Sequence, residues 1–461
     1  MKINKSFIYF ICCVSAMGGL LFGYDWVVIG GAKPFYEAYF AISDNPSMQG
    51  LAMSIAIAGC LVGAMVSGFF ADRYGRKPLL VFSAIVFLLS AYMTGAVDTF
   101  VPFLIARLIG GVAIGVASGL SPMYIAEVSP SDTRGRMVSI NQLTIVLGIL
   151  AAQIVNYLIA EPMPAGMELP PLDSWNCQYG WRYMFWAEAL PSMLFLMLVL
   201  FIPESPRWLM LNGRVDKASS IFTSIGGGDY AKAEIEAIGK ADKDRSYERG
   251  LSLTVFLRKP YLSLIVLGIV IAVFQQWCGT NVIFNYAQEI FANAGYDLGE
   301  MLFNIVLTGV TNVVFTIVAL FAVDRIGRKK LMQLGSGGLF AIYLTLGTCY
   351  YFGVSGFMMV VLVMLAIACY AMTLGPVTWV LLSEIFPNKV RGMAMAVCTF
   401  ALWTGCFTLT YSFPLLNSGF GSYGTFWLYA AICLAGFIYF SSKLTETKGK
   451  TLEQIEKELT R

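Results

Sequence analysis

A six-residue motif occurs twice, 252 residues apart: Asp72-Arg73-Tyr74-Gly75-Arg76-Lys77 and Asp324-Arg325-Ile326-Gly327-Arg328-Lys329. A second motif repeats at an offset of 257: Glu127-Val-Ser-Pro130-Ser-Asp-Thr-Arg134-Gly135 and Glu384-Ile-Phe-Pro387-Asn-Lys-Val-Arg391-Gly392. The chain is one half written twice. Between the motifs the sequence is apolar, as in Ile8–Phe22, Gly50–Ala71, Pro78–Val97, Met184–Ile202, Tyr261–Phe274, Ala341–Tyr351 and Met358–Met372. Only 13% of the 461 residues are charged and 57% are hydrophobic, whereas a soluble domain carries about 25% charge. Each half therefore reads as a membrane bundle. A duplicated bundle with charged motifs in matching loops is the layout of a secondary transporter, with its substrate between the halves near mid-membrane.

A helix needs roughly 20 residues to cross the hydrocarbon core. On that measure spans 1 to 6 are predicted near 7–31, 48–70, 78–97, 100–126, 134–160 and 180–202. Spans 7 to 12 are predicted near 260–292, 300–323, 329–352, 357–385, 391–415 and 424–443. The domain reading is an amino-terminal bundle over 1–202, a linker over 203–259, a carboxyl-terminal bundle over 260–443 and a tail over 444–461. Within the linker, Pro206–Leu211, Val215–Phe222 and Tyr230–Ile238 suit short helices, broken by Gly226-Gly227-Gly228. The longest connection on the opposite side, about 161–179, is rich in proline (Pro162, Pro164, Pro170, Pro171). Glycines inside spans, such as Gly18, Gly19, Gly59, Gly63, Gly68, Gly110, Gly111, Gly115 and Gly119, are expected to let helices pack closely.

Basic residues set the orientation. With the amino terminus in the cytoplasm, only Lys33, Arg107 and Arg182 of the 31 Lys and Arg residues fall outside cytoplasmic segments. Both termini are then cytoplasmic and the protein is a multi-pass membrane protein. The net charge of +3 is a topology signal with lipid-headgroup contacts, and points to no nucleic-acid partner. The ten cysteines lie almost all in apolar spans, Cys177 excepted, which implies no disulfide framework. There is no histidine, and no cofactor or metal spacing is visible. Met1–Tyr24 mimics a signal peptide, but Gly23-Tyr24-Asp25 continues the segment as span 1.

Three sets of residues carry candidate chemistry. Amides inside apolar spans are costly without a partner, and here they are Asn141, Gln142, Gln275, Gln276, Asn281 and Asn312. An amide both donates and accepts, as a sugar hydroxyl does, so these residues either bind a polyol or join helices to one another. Gln276 and Asn281 lie five residues apart, about 1.4 turns, so a mild kink could aim Gln275, Gln276 and Asn281 inward together. Asp25 is a carboxylate deep in span 1, and Arg107 in span 4 is its natural partner. Protonation of Asp25 would release Arg107, giving either a coupling switch or, if nothing moves, a static pair. Glu188 in span 6 is a second buried carboxylate. Without histidine, a site titrating near neutrality falls to these carboxylates. Finally, Arg73, Arg76 and Arg134 are expected to face Glu127 and Glu204, and Arg325, Arg328 and Arg391 to face Glu384 and Glu446. These rims are either a conformational salt-bridge network or topology determinants alone.

The motifs resemble the sugar porter family of the major facilitator superfamily over essentially the whole chain. They include Gly18-Gly-Leu-Leu-Phe-Gly-Tyr-Asp25, Arg107-Leu-Ile-Gly-Gly111, Pro203-Glu-Ser-Pro-Arg-Trp208, Gln275-Gln276-x4-Asn281, Gly375-Pro-Val-Thr-Trp379 and Glu446-Thr-Lys-Gly-Lys450. The chain looks closest to bacterial sugar–proton symporters of the xylose type. The resemblance implies an all-α membrane fold of twelve helices in two pseudo-symmetric six-helix halves, acting as a monomer. It implies proton-coupled import of a monosaccharide such as xylose, glucose, galactose or arabinose. It places sugar contacts at Gln142, Gln275, Gln276, Asn281 and Trp379, with Phe22 and Asn312 as further positions, and proton coupling at Asp25, Arg107 and Glu188.

Three positions depart from the family pattern. Leu402 stands where xylose-type symporters hold a sugar-binding glutamine, Cys406 replaces a nearby amide, and Asn285-Tyr286 replaces a tyrosine pair. Loss of one hydroxyl partner weakens binding by roughly 1–3 kcal/mol, so the sugar's identity is the open part of the reading. Other readings are a facilitative uniporter, which Asp25 argues against, a sugar sensor that does not translocate, and a drug exporter. A membrane enzyme would need a nucleophile–base pair or metal cluster, and none is visible.

Overall fold

A computed structural model of the chain describes residues 3–162, 171–248, 261–387 and 390–448; the side chains of 241–248, 323, 324, 391 and 392 are outside that description. The described residues are almost entirely helical. The proline-rich stretch falls partly outside them, as do most of the tail and the last part of the linker.

The first five spans are α1 (Lys5–Tyr39), α2 (Pro46–Tyr74), α3 (Arg76–Ala96), α4 (Phe100–Val128) and α5 (Arg134–Ile159). The sixth is broken: α6 (Trp181–Trp186) and α7 (Ala189–Val199) meet at Ala187-Glu188. The linker holds α8 (Pro206–Leu211), α9 (Val215–Gly226) and α10 (Gly228–Glu248). Ser205 caps α8 by accepting from the Trp208 N–H, with Pro206 at the first helical position. Between α9 and α10, Gly227 takes φ 84°, a turn that favours glycine.

The seventh span is broken twice, into α11 (Tyr261–Trp277), α12 (Thr280–Asn285) and α13 (Ala287–Asn293). Gly279 at φ 89° makes the first break and Tyr286 the second. Then come α14 (Leu298–Ile326), α15 (Arg328–Tyr351), α16 (Phe357–Met372), α17 (Leu374–Ile385) and α18 (Arg391–Lys443). The last is two helices joined at Gly421, where the backbone leaves the helical region. Among the described residues, ten helical stretches are long and apolar enough to cross a membrane. The break at Gly421 divides one of them into two. The 24-residue α15 is less apolar because it opens on Arg328-Lys329-Lys330, and it completes the twelve spans.

The helices form two compact units. One comprises Met1–Asp25, Gly59–Gly148 and Phe185–Ser252; the other comprises Trp26–Ala58, Ile149–Met184 and Leu253–Arg461. In the first unit, small residues set the helix contacts. A Cβ on Gly59 or Gly63 would strike the carbonyls of Leu108 and Val112, and one on Gly115 would strike that of Cys60. Gly68 has nothing comparable beside it, so only part of the glycine series serves packing. In the second unit, Gly50 lies against the Tyr411 carbonyl and Gly30 against that of Asn285. The outer part of α1 is thereby packed on the twice-broken seventh span.

Candidate functional site

The first locus lies in the first unit. Asp25 and Arg107 are 1% and 2% exposed and form an ion pair through Asp25 Oδ1 and Arg107 Nη1. Arg107 Nη2 also donates to the Asp25 carbonyl at 3.2 Å, and the guanidinium lies over the Phe185 ring at 5.4 Å. Glu188 is 2% exposed and near enough to feel both charges. It sits at the α6–α7 break, where the helix is already interrupted. Asp25 Oδ2 and Glu188 Oε1 are buried without a hydrogen-bond partner. Two buried carboxylates thus lie near one guanidinium, which pairs with Asp25 alone. Carrying a full net negative charge there is costly, and one proton removes the imbalance. The arrangement can hold and release a proton.

The second locus lies in the second unit. Gln275 and Gln276 end α11, and Asn281 opens α12 beyond the Gly279 break. In an unbroken helix a five-residue separation leaves two side chains more than a turn apart. The left-handed Gly279 changes the direction of the chain, and the Asn281 amide donates to Gln276 Oε1. Gln276 Nε2 donates to Gln275 Oε1 at 3.1 Å, and Gln275 Nε2 donates to the Gly375 carbonyl at 3.2 Å. The three amides are a connected chain of donors and acceptors that a polyol could enter by exchange. Gly375 belongs to the segment carrying Trp379, which is 40% exposed. Asn312 is buried on α14, one turn from Thr308, which accepts from Gln153 at 3.3 Å. In the first unit Gln142 is exposed, Phe22 half-buried and Asn141 buried. Leu402, Cys406 and Asn285 are all buried, and Cys406 Sγ lies 3.9 Å from the Asn281 amide nitrogen.

The repeated motifs build the same clamp twice. In the first unit Arg76 Nη2 meets Glu127 at 2.9 Å, and Glu204 accepts the backbone N–H groups of Arg76 and Lys77 at 2.9 and 3.2 Å. In the second, Arg328 Nη2 meets Glu384 at 3.0 Å, and Glu446 accepts from the N–H groups of Arg328 and Lys329 at 2.9 and 3.1 Å. Each Glu thus sits on a helix N-terminus, where free N–H groups and the dipole favour an anion. Gly75 (φ 98°) and Gly327 (φ 99°) precede these helices, and a side chain at either would strike the capping carboxylate. The positive φ and the carboxylate explain the glycine in both copies. Arg73 is exposed and stacks on Tyr74, Arg134 and Arg325 are exposed, and the Arg391 side chain lies outside the described residues. The structure brings Arg76 and Arg328, not Arg73 and Arg325, onto the acidic partners.

Burial alone would raise the Glu446 carboxyl, but N–H donors from Lys448, Arg328, Lys329 and Thr447 outweigh it and hold the group below its ordinary range. Its stabilisation is therefore present above the unfolded-state value and fades as pH falls through the lower folded-state value. Glu446→Gln is expected to cost about 1 kcal/mol at neutral pH and to make the melting temperature less sensitive to acid. Thermal melts of both proteins from neutral into acid pH check this; parallel curves would sink the capping argument.

Sequence reading left one cluster without a role. Lys33, 2% exposed, is paired with Glu37 at 2.9 Å and with Glu289. It also lies over the Tyr286 ring at 5.7 Å. The signal was available: a basic residue away from the other basic segments, with an acid four residues on. Arg182, a further basic residue outside the cytoplasmic segments, packs on the rings of Tyr39 and Trp181 at 5.0 and 4.6 Å.

Comparison with known proteins places this geometry. Residues 11–459 match the family described as Sugar (and other) transporter. The D-xylose-proton symporter of Escherichia coli (strain K12) is 36% identical over 488 aligned positions, covering 99% of this chain and 96% of that protein. The arabinose-proton symporter of Bacillus subtilis (strain 168) is 36% identical, covering 98% and 95%. Among solved structures, the inward open conformation of the xylose transporter XylE from E. coli superposes with a TM-score of 0.85 at 34% identity, covering 98% of this chain and 99% of that one. With the motif pairs, the twelve spans and near-complete coverage in agreement, the chain belongs to the sugar transporter family of the major facilitator fold and is an integral membrane protein.

Proposed function

We propose that the protein imports a monosaccharide together with protons by alternating access, across the cytoplasmic membrane, with both termini inside and as a monomer. The observation that carries the coupling is the buried Asp25–Arg107 pair with Glu188 beside it. Two relatives at 36% identity are named as sugar–proton symporters, one for D-xylose and one for arabinose. In this reading Asp25 takes the proton, Arg107 is released, and Glu188 holds the guanidinium while helices rearrange. The linked amides Gln275, Gln276 and Asn281 exchange their mutual hydrogen bonds for sugar hydroxyls. Asn312 and Trp379, in the same unit, contribute further contacts, with the Trp379 indole suited to the C–H face of a sugar ring. The paired clamps brace the cytoplasmic ends of their helices, next to the lipid headgroups. No chemical transformation of the substrate is needed.

The test is uptake of labelled D-xylose, D-glucose, D-galactose and L-arabinose into proteoliposomes, with and without an inward proton gradient. Accumulation above equilibrium that requires the gradient is expected for at least one sugar. Equilibration alone would make the protein a facilitative uniporter, and binding without entry would make it a sensor.

A further inference from the structure

The face of α18 beside the amide cluster carries a leucine at 402 and a cysteine at 406. Leu402, Trp403 and Cys406 share that face, since residues three and four apart are neighbours on a helix. They are 4%, 7% and 0% exposed. Two contacts tie the face to the seventh span: the Trp277 indole donates to the Gly405 carbonyl at 3.0 Å, and Cys406 lies beside Asn281. A third element meets it from α1. Trp26, one turn beyond Phe22, packs on Trp403 with ring centroids 6.0 Å apart and planes at 56°.

Trp26, Leu402, Trp403 and Cys406 thus form one apolar wall that meets the amide cluster where Cys406 lies beside Asn281. Leucine neither donates nor accepts, an indole only donates, and a thiol does both weakly. A sugar hydroxyl turned to this wall would be buried without an acceptor, which disfavours it by roughly tenfold or more. A C–H or methyl group there loses nothing and gains apolar contact with two indoles. We propose that Trp26 and Leu402 are specificity-determining residues, and that the preferred substrate is a deoxy sugar whose hydroxyl-free carbon faces this wall. The proposal rests on the monosaccharide reading above. It adds which kind of monosaccharide the site takes.

The experiment is competition against uptake of whichever of the four sugars is transported, using its analogues deoxygenated at each carbon in turn. Analogues that lose a hydroxyl facing the amides should compete at least about tenfold more weakly than the parent. One analogue should instead match or exceed it. In Leu402→Gln that analogue alone should fall behind the parent by about tenfold, because the new amide pairs with the restored hydroxyl. Trp26→Phe, which keeps the wall apolar, should preserve the wild-type order. The proposal is overturned if every deoxy analogue is weaker than its parent in the wild-type protein, a result that needs no variant to fold. It is also overturned if Leu402→Gln weakens all sugars equally. Absence of uptake or binding for every monosaccharide would instead remove the proposed function itself.

Discussion

Replacing Asp25 by Asn is expected to abolish gradient-driven accumulation of sugar while leaving exchange of sugar across the membrane intact. The amide has nearly the shape of the carboxylate, and its oxygen can still accept from Arg107. What it lacks is the ability to gain and lose a proton. Asp25 is buried at 1% exposure and its charge is matched directly by Arg107, so the proton has an electrostatic consequence there that an exposed carboxylate would not have. A gradient of one pH unit is worth about 1.4 kcal/mol per proton, or about a tenfold concentration ratio of sugar. The wild-type ratio should approach that figure for one proton per sugar, and the variant's should fall to about one. Counterflow, in which sugar already inside drives entry of labelled sugar, needs no net proton movement and should persist. Both are read in the same proteoliposomes. If accumulation survives, Asp25 does not carry the proton, and Glu188→Gln becomes the variant to measure. If counterflow is lost as well, the Asp25–Arg107 pair is structural.

Most of this architecture was legible in the sequence because membrane helices announce themselves. The spans follow from unbroken apolar length, and the linker helices from short periodic runs ended by glycines. Pro206–Leu211 is the clearest case: its boundaries coincide with those read from the sequence. The two clamps were legible as repeats but not in detail. Arg73 and Arg76 are equivalent as charges, and only the turn at Gly75 decides that Arg76 points inward while Arg73 faces outward. The kink between Gln276 and Asn281 was expected, but the residue that makes it was not singled out, for a related reason. Gly279 reads as one more small residue in an apolar run, yet its left-handed backbone brings Asn281 back onto Gln276. The division into compact units was also out of reach. Trp26–Ala58 belongs to the first half of the chain, but its contacts lie with the second unit. Sequence order records where a helix was duplicated from. It does not record which neighbours each end of that helix meets.

Lys33 shows the consequence of such contacts, and its replacement by Met should give the largest loss of stability of any single substitution considered. The ammonium is 2% exposed and sits between Glu37 on its own helix and Glu289 in the first turn of α13. Removing it leaves two carboxylates facing each other in a buried site with no cation between them. Breaking a buried ion pair from one side costs about 3–5 kcal/mol, chiefly because the remaining charge is unsatisfied. The cost is thus one of imbalance rather than of lost attraction, and the two can be separated. Lys33→Met combined with Glu37→Gln and Glu289→Gln removes all three charges and should regain most of the lost stability, although it has no more ion pairs than Lys33→Met alone. Thermal unfolding of the three proteins in the same detergent measures this, and the order should be wild type, then the neutral triple variant, then Lys33→Met. A single variant as stable as the wild type would show that the three groups are not coupled. A triple variant no better than the single one would show that the ion pairs themselves, through net attraction, hold the end of α1 against the broken seventh span.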